Sequence, residues 1–287
     1  MDTSVQGQLY LVATPIGNLE DITLRAVRIL GEVDIIAAED TRHTRKLLSH
    51  LGISKELWSY HQHSTARATE KIIVALLQGK SIALVSDAGM PCVSDPGQEL
   101  VAAVRQQGIG VVVIPGPSAA LSAYAVSGFA GDRFAFEGFL PTKQGERKQR
   151  LHALQGEERT LIIYEAPHRL ARTLADLHSA LGNREATLAR ELTKVHEEVV
   201  QSNLADLVEL CVHKEPRGEY VLVVAGAESL APLAESPDTA LEVYRTLLGE
   251  GYSRGDALRE AARRSGLSRD TLYQLLAQAN DRTRRPE

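Results

Sequence analysis

The chain has 287 residues, a net charge of −5 and two cysteines. That length suits two domains of ordinary size with a small appendage, and Cys92 and Cys211 are too few for a disulfide framework or a zinc cluster. No apolar run approaches the ~20 residues that span a bilayer, the polar Met1–Gln8 segment is not a signal peptide, and a cytoplasmic setting without membrane contact is expected; the acidic balance argues against a general nucleic-acid coat, although local basic patches can still hold such a substrate.

In chain order, Leu9–Ala13, Asp34–Ala38, Ser81–Val85 and Val111–Ile114 read as strands. Their Val, Ile and Leu content without strict alternation suits strands covered on both faces. Helical spacing falls between and beside them, at Ile22–Leu30, Thr44–Leu51, Thr69–Leu77 and Pro96–Gln107, and this alternation predicts a mostly parallel sheet with helices on both faces. Gly128–Pro141, rich in Gly and aromatics, reads as a connector. A second lobe follows, with strands near Arg159–Tyr164, Ala186–Glu191, Glu197–Gln201 and Tyr220–Ala225 and helices near Lys143–Leu154, His168–Leu181 and Leu204–Cys211. Because Glu191–Gln201 can fold back as a hairpin, a mixed sheet is expected there. The domain reading is an α/β lobe over 1–127, a second over 128–226, a linker over 227–237 with two prolines, and a helical segment over 238–287. In that segment Arg254–Arg264 and Arg269–Gln278 have helix-turn-helix spacing, with Ser268 placed to cap the last helix.

Chemistry concentrates at strand ends. The first strand runs into Thr14-Pro15-Ile16-Gly17-Asn18-Leu19, a sharp turn at the edge where open α/β sheets bind ligands. Taken alone it is more simply an ordinary turn. The third strand runs into Ser86-Asp87-Ala88-Gly89-Met90-Pro91 and then Ser94-Asp95-Pro96-Gly97. Glycine lets backbone groups approach a ligand closely. Asp87 reads as functional, whereas Asp95-Pro96 reads better as an N-cap with proline at the first helical position. A further strand runs into Pro115-Gly116-Pro117-Ser118-Ala119-Ala120, which opens a helix whose small residues suit a cofactor lying over its N-terminus. Convergence of three such loops on one sheet edge says more than any one of them.

Several motifs are missing. No G-x-G-x-x-G follows the first strand, and neither a P-loop nor a G-x-S-x-G elbow occurs. His61-Gln62-His63 lacks cysteines or carboxylates at metal spacing, so no metal site is expected. Three charged clusters remain: Glu39-Asp40-Thr41-Arg42, Tyr164-Glu165-Ala166-Pro167-His168-Arg169 and Arg190-Glu191-Leu192-Thr193-Lys194. Charges at strand ends are costly unless paired, solvated or used. One cluster would read as ion pairs and caps; three favour a shared cleft.

These segments, with Gly138-Phe139-Leu140-Pro141 and the extension of the first loop through Thr23, together resemble the tetrapyrrole methylase superfamily, and within it the branch that methylates small-subunit ribosomal RNA. The resemblance spans about residues 7–226, and the helical segment is similar to that branch's appendage. It implies two α/β lobes with S-adenosylmethionine in the cleft between them, a homodimer, no metal, and 2′-O-methylation of a cytidine in 16S RNA within the 30S subunit. Pro15, Asp87, Met90, Pro91, Ser118 and Ala119 match the branch's donor-binding loops; Glu165, Ala189 and Tyr220 are similar to positions that line its adenosine. Ala166 and Met90 depart from the Ser and Thr frequent there, and Ser64-Thr65 from a more usual Asn-Glu.

The implied reaction requires a hydroxyl aligned with the methyl group and relieved of its proton. Glu39 or Asp40 is the expected acceptor, with Lys194 or Arg169 as electrostatic partner. RNA contacts are expected from Arg42, Arg45 and Lys46, from Lys143, Arg147, Lys148 and Arg150, or from Arg263, Arg264, Arg269 and Arg282–Arg285. Each basic run reads equally as a solvated helix face. Two other readings stand beside this one: a superfamily member acting on a tetrapyrrole or protein acceptor, and a ligand-sensing DNA-binding regulator.

Overall fold

The computed structural model describes residues 7–61, 65–129, 131, 133–213, 215–227, 237–265 and 267–282. The expectations for Gln62–Ser64, for the linker from Glu228 and for Thr283–Arg285 lie outside these. The chain divides into two compact units, Met1–Ala227 and Glu228–Glu287.

Among the described residues the first unit carries two five-stranded sheets. In the first, β1 (Leu9–Val12), β2 (Ile35–Ala38), β3 (Glu56–Ser59), β4 (Ile82–Val85) and β5 (Val111–Ile114) lie in the order β3-β2-β4-β1-β5, and every pairing is parallel. Alternate side chains feed two cores. Leu9, Ile35, Ala37, Ile82 and Leu84 face one side; Val12, Ile36, Ala38, Ala83 and Val85 face the other. Helix α1 (Leu24–Glu32), capped by Thr23, packs Ala26, Ile29 and Leu30 on the second side, with α2 (Thr41–His50) beside it through Leu48. On the first side lie α3 (Thr65–Leu77), through Ile72 and Leu76, and α4 (Gln98–Gln106), through Leu100 and Val104. Neighbouring strands β1 and β4 are thus followed by helices on opposite faces. That is the topological switch point, where ligands of open α/β sheets bind.

In the second sheet, β6 (Phe134–Phe139), β7 (Thr160–Glu165), β8 (Glu185–Arg190), β9 (Glu198–Asn203) and β10 (Tyr220–Val224) lie in the order β6-β7-β10-β8-β9. Only β6–β7 is parallel. The β8–β9 hairpin and the two pairings of β10 are antiparallel, so the sheet is mixed as expected. One face is covered by α6 (Gln144–Ala153), α7 (Pro167–Leu181) and α8 (Leu204–His213), through Leu151, Leu170, Leu174, Leu177, Leu204 and Leu207. The other face, with Ile162, Ala189, Val221 and Val223, is covered by α5 (Ala119–Ser127). Helix α5 follows the last strand of the first sheet yet packs on the second, joining the two lobes.

Two expectations are corrected, and one strand stands where none was read. Gly128–Pro141 is not all connector, because it contains β6; a glycine and a register shift between Phe136 and Gly138 interrupt the strand's pattern. The short, polar edge strand β3 carries too little apolar alternation to be read. Most consequentially, Asp95 does not cap a helix from Pro96. Helix α4 starts at Gln98 with Gly97 as its cap, and no side chain bonds there. Gly97 has φ +137°, and a Cβ on it would lie 2.6 Å from the Cys92 sulfur and 2.7 Å from Leu84 Cδ2.

The second unit holds α9 (Pro237–Gly249), α10 (Arg254–Ser265) and α11 (Arg269–Arg282) around Leu241, Leu247, Leu258, Ala261 and Leu272. Ser268 Oγ accepts from Thr271 N–H at 3.0 Å and so caps α11. Ser253 does the same for α10 through Asp256 N–H at 3.2 Å.

Gly97→Ala combines a left-handed backbone with an overpacked Cβ, and overpacking alone typically costs about 1–3 kcal/mol. A fall in the urea midpoint of that size is expected, with an unchanged slope; an unchanged midpoint would show that the α4 entry yields freely.

Candidate active site

Parallel strands β1 and β4 do not end their pairing at the sheet edge. Thr14 N–H donates to Gly89 C=O at 2.9 Å and Gly89 N–H returns a bond to Thr14 C=O at 3.0 Å. The Thr14 hydroxyl adds a third, to Ser86 C=O at 3.2 Å. Gly89 adopts φ +77° here, a conformation that costs glycine little. This stitch sets the loops after β1 and β4 side by side above the switch point.

A cavity of about 410 Å³ opens against them, a size usual for small-molecule sites. Its walls come from both sheets. Ile16, Glu39, Asp87–Met90 and Ser94-Asp95 contribute from the first; Phe139, Tyr164, Ala189, Leu192, Tyr220 and Val221 from the second; Ser118 and Ala119 from the N-terminus of α5. The Tyr164 hydroxyl accepts from Ala120 N–H at 3.2 Å, pinning that N-terminus to β7. Ser118 stands at the N-cap without making a side-chain cap bond. On the far side Gly17 lies so close to Lys194 that an added Cβ would sit 2.5 Å from its Cγ, and Asn18 N–H bonds Thr193 Oγ1 at 3.0 Å.

On the first sheet's side the cavity carries three carboxylates, Glu39, Asp87 and Asp95; Glu165 and Glu219 line it from the second. Burial pushes the Glu39 carboxyl above its usual range and the Asp87 charge adds to that, with His61 opposing. Asp95 is pushed up to about 6 by burial and by the Glu39 charge, against a hydrogen bond from Ser86; Asp87 raises it further. Asp87 Oδ1 accepts from Asp40 N–H at 3.0 Å, which orients it.

Among the donor-loop residues read from sequence, Asp87, Met90, Ser118, Ala119, Glu165, Ala189 and Tyr220 line the cavity; Pro15 and Pro91 flank the loops without forming its wall. Glu165 is almost fully buried, and its carboxylate is taken up by Arg169 at 3.2 Å, Thr173 Oγ1 at 2.6 Å and Ala166 N–H at 2.9 Å. Arg169 also donates to Leu140 C=O at 2.6 Å. It therefore supports the wall from behind. Of the two acceptor candidates only Glu39 lines the cavity. Asp40 turns away to Arg42, whose hydrogen bonds hold its carboxyl near about 2, and caps α2. Lys194 lies at the rim, bonded to Glu191 at 2.9 Å and Glu219 at 3.0 Å; burial favours its neutral form, but these bonds outweigh burial and raise its pKa. Sequence reasoning missed Asp95 as a cavity residue; a second acid eight positions after Asp87 in one Gly/Pro loop was the available signal. Phe139 and Tyr164 stand in motifs that carried no hint of their edge-to-face contact at 5.6 Å.

Among the described residues no group of three or more His, Cys, Asp or Glu is arranged to hold a metal ion, and no helix is long and apolar enough to cross a membrane.

Residues 8–208 match the family model described as Tetrapyrrole (Corrin/Porphyrin) Methylases. The chain belongs to this family. Within it, the chain is similar to proteins named ribosomal RNA small subunit methyltransferase I. The one from Synechocystis sp. (strain ATCC 27184 / PCC 6803 / Kazusa) is 50% identical over 270 residues, covering 94% of this chain and 97% of the relative. The one from Escherichia coli O157:H7 is 45% identical over 273 residues, covering 93% and 94%. Solved tetrapyrrole methylases share the fold. The uroporphyrin-III C-methyltransferase from Thermus thermophilus complexed with S-adenyl homocysteine superposes with TM-score 0.56 at 22% identity, covering 76% of this chain and 97% of that one. Cobalt precorrin-4 methyltransferase gives 0.58 at 15% identity, covering 76% and 94%.

Asp95 also makes stability depend on pH. Its folded-state pKa of about 6 lies above the ordinary 3.8, so the contribution of its protonated form is fully present below pH 3.8 and is lost as pH rises through 6. Asp95→Asn keeps the neutral shape at every pH. In thermal melts without ligand it should exceed the parent at pH 7.5, and the gap should close toward pH 4. A gap that does not change with pH would rule out the shifted carboxyl.

Proposed function

We propose that this chain is an S-adenosylmethionine-dependent methyltransferase of the small ribosomal subunit RNA, and that it methylates the ribose 2′-hydroxyl of a cytidine in 16S RNA carried by the 30S subunit. The observation that carries the reading is the cavity at the β1/β4 switch point, whose lining brings carboxylates and apolar groups together. A nucleoside that bears a sulfonium needs both: buried anions for its cation, and apolar surface for its adenine. The near full-length identity to relatives named for ribosomal RNA supports RNA over a tetrapyrrole as acceptor. The regulator reading has little support beyond the three-helix unit.

Once bound, the donor supplies an activated methyl group on positive sulfur. Ala189, Val221 and Tyr220 offer its adenosine the apolar wall, and the α5 N-terminus at Ser118-Ala119 offers N–H groups to its carboxylate. Asp87, oriented by Asp40 N–H, faces the cation. Glu39 and Asp95, each raised by burial and by a neighbouring carboxylate, are the pair of groups that would accept the hydroxyl proton as the methyl group passes from sulfur to the ribose oxygen. The methylated ribose, neutral thioether and one proton on the pair balance the reaction. Lys194, Glu191 and Glu219 fix the rim, and Arg169 fixes Glu165 behind the wall.

Labelled S-adenosylmethionine offered with 30S subunits should yield 2′-O-methylcytidine by mass spectrometry. Transfer to no RNA despite donor binding would move the acceptor elsewhere. Asp95→Asn should lose on the order of 10²-fold in kcat, and kcat/KM of the parent, which reports the free enzyme, should fall as pH drops through about 6.

A further inference from the structure

Two basic runs, on α2 and α6, look equivalent in sequence. The structure separates them. On α6, Arg147 is only 2% exposed; its Nε bonds Asp176 at 2.7 Å and its NH1 bonds the carbonyls of Thr142 and Pro141 at 2.9 and 3.2 Å. Arg150 is paired with Glu137 at 2.6 Å and Lys143 with Glu146 at 3.1 Å. Of that run only Lys148 is exposed without an ion pair among the described residues, and Arg147 is corrected from a surface contact to a buried strut.

Helix α2 is different. Its sequence, Thr41–His50, contains no acidic residue, although the chain as a whole is acidic. Thr44, Leu47 and Leu48 face inward, while Arg42, His43, Arg45, Lys46 and His50 are exposed. Arg42, Arg45 and Lys46 share one face at i, i+3, i+4 spacing. Arg42 leans on Asp40 with its side chain 85% exposed, and among the described residues no ion pair involves Arg45 or Lys46. Cations in the opening turns of a helix oppose its dipole, so this arrangement does not serve the helix's own stability. Position supplies the last part of the argument. The helix starts one residue after Asp40, whose N–H holds the cavity's Asp87, and two after Glu39, which lines the cavity.

We infer that the exposed face of α2, through Arg45 and Lys46 with Arg42, is the track that grips the RNA phosphates flanking the target nucleotide and delivers its ribose to the cavity mouth. The inference rests on the proposed RNA acceptor. From Arg42 to Lys46 the helix rises about 6 Å, enough to set cations side by side along one strand. Phosphate contacts position a nucleic acid without reading its sequence, which fits a surface of flexible cations beside a site that selects the sugar.

The test compares full-length wild type, Arg45→Gln/Lys46→Gln, and Lys148→Gln on α6. Each is assayed for donor affinity by calorimetry, methyl transfer to 30S subunits, and binding of a labelled single-stranded 16S fragment at several salt concentrations. The α2 variant should keep its melting temperature, donor affinity and kcat, and raise KM for RNA on the order of tenfold. Its plot of log affinity against log salt should flatten by about 1.4, at ~0.7 per lost single-strand contact. Lys148→Gln should match wild type. If wild type methylates RNA while the α2 variant keeps its KM and salt slope, the α2 assignment is overturned and the RNA reading stands. If wild type methylates no RNA, both fall.

Discussion

The reciprocal pair of hydrogen bonds between Thr14 and Gly89 is the constraint on which the site depends. Parallel strands normally part at their carboxyl ends as their chains leave toward opposite faces. Here one antiparallel bridge ties the departing loops together, leaving Ile16 and Asp87–Met90 on one wall. The first sheet's alternation makes this possible: each of its central strands feeds two cores, so α1 and α4 diverge and leave a crevice between them. Helix α5 then crosses to the second sheet, and Ile16 and Leu192 pack in the same apolar cluster as its alanines. The cavity exists because these elements cannot be placed independently.

The site is electrostatically loaded before any ligand arrives. Three carboxylates share one region, and burial together with mutual repulsion raises the pKa of both Glu39 and Asp95. His61 opposes the shift at Glu39, but the arginines and the lysine nearby are already paired. Arg42 is held by Asp40, Arg169 by Glu165, and Lys194 by Glu191 and Glu219. An anionic pocket favours a cationic occupant, and the attraction is lost when that occupant becomes neutral. For a sulfonium donor this asymmetry helps product leave after transfer.

Much of the first lobe was legible in sequence because its buried parallel strands are continuous runs of Val, Ile and Leu bounded by Gly and Pro. The three loops at Pro15, Asp87 and Ser118 could be read because the end of a strand is where such sheets bind ligands. The chemistry of individual charges was not legible. Glu39 and Asp40 are adjacent in sequence, yet one faces the cavity and the other caps a helix. Asp95-Pro96 has the form of a helix start, and only the conformation of Gly97 shows why the helix begins later and frees the carboxylate. Arg147 and Lys148 are neighbours too, one buried and one exposed, a difference set by the 3.6-residue turn and by Asp176 from another helix.

The central claim is that the switch-point cavity holds the methyl donor. A crystal structure of the protein soaked with S-adenosylhomocysteine tests it most directly. Density should fill the cavity, with the adenosine against Ala189 and Tyr220 and the sulfur beside Asp87–Met90. Density at any other place, with this cavity holding only water, would contradict it.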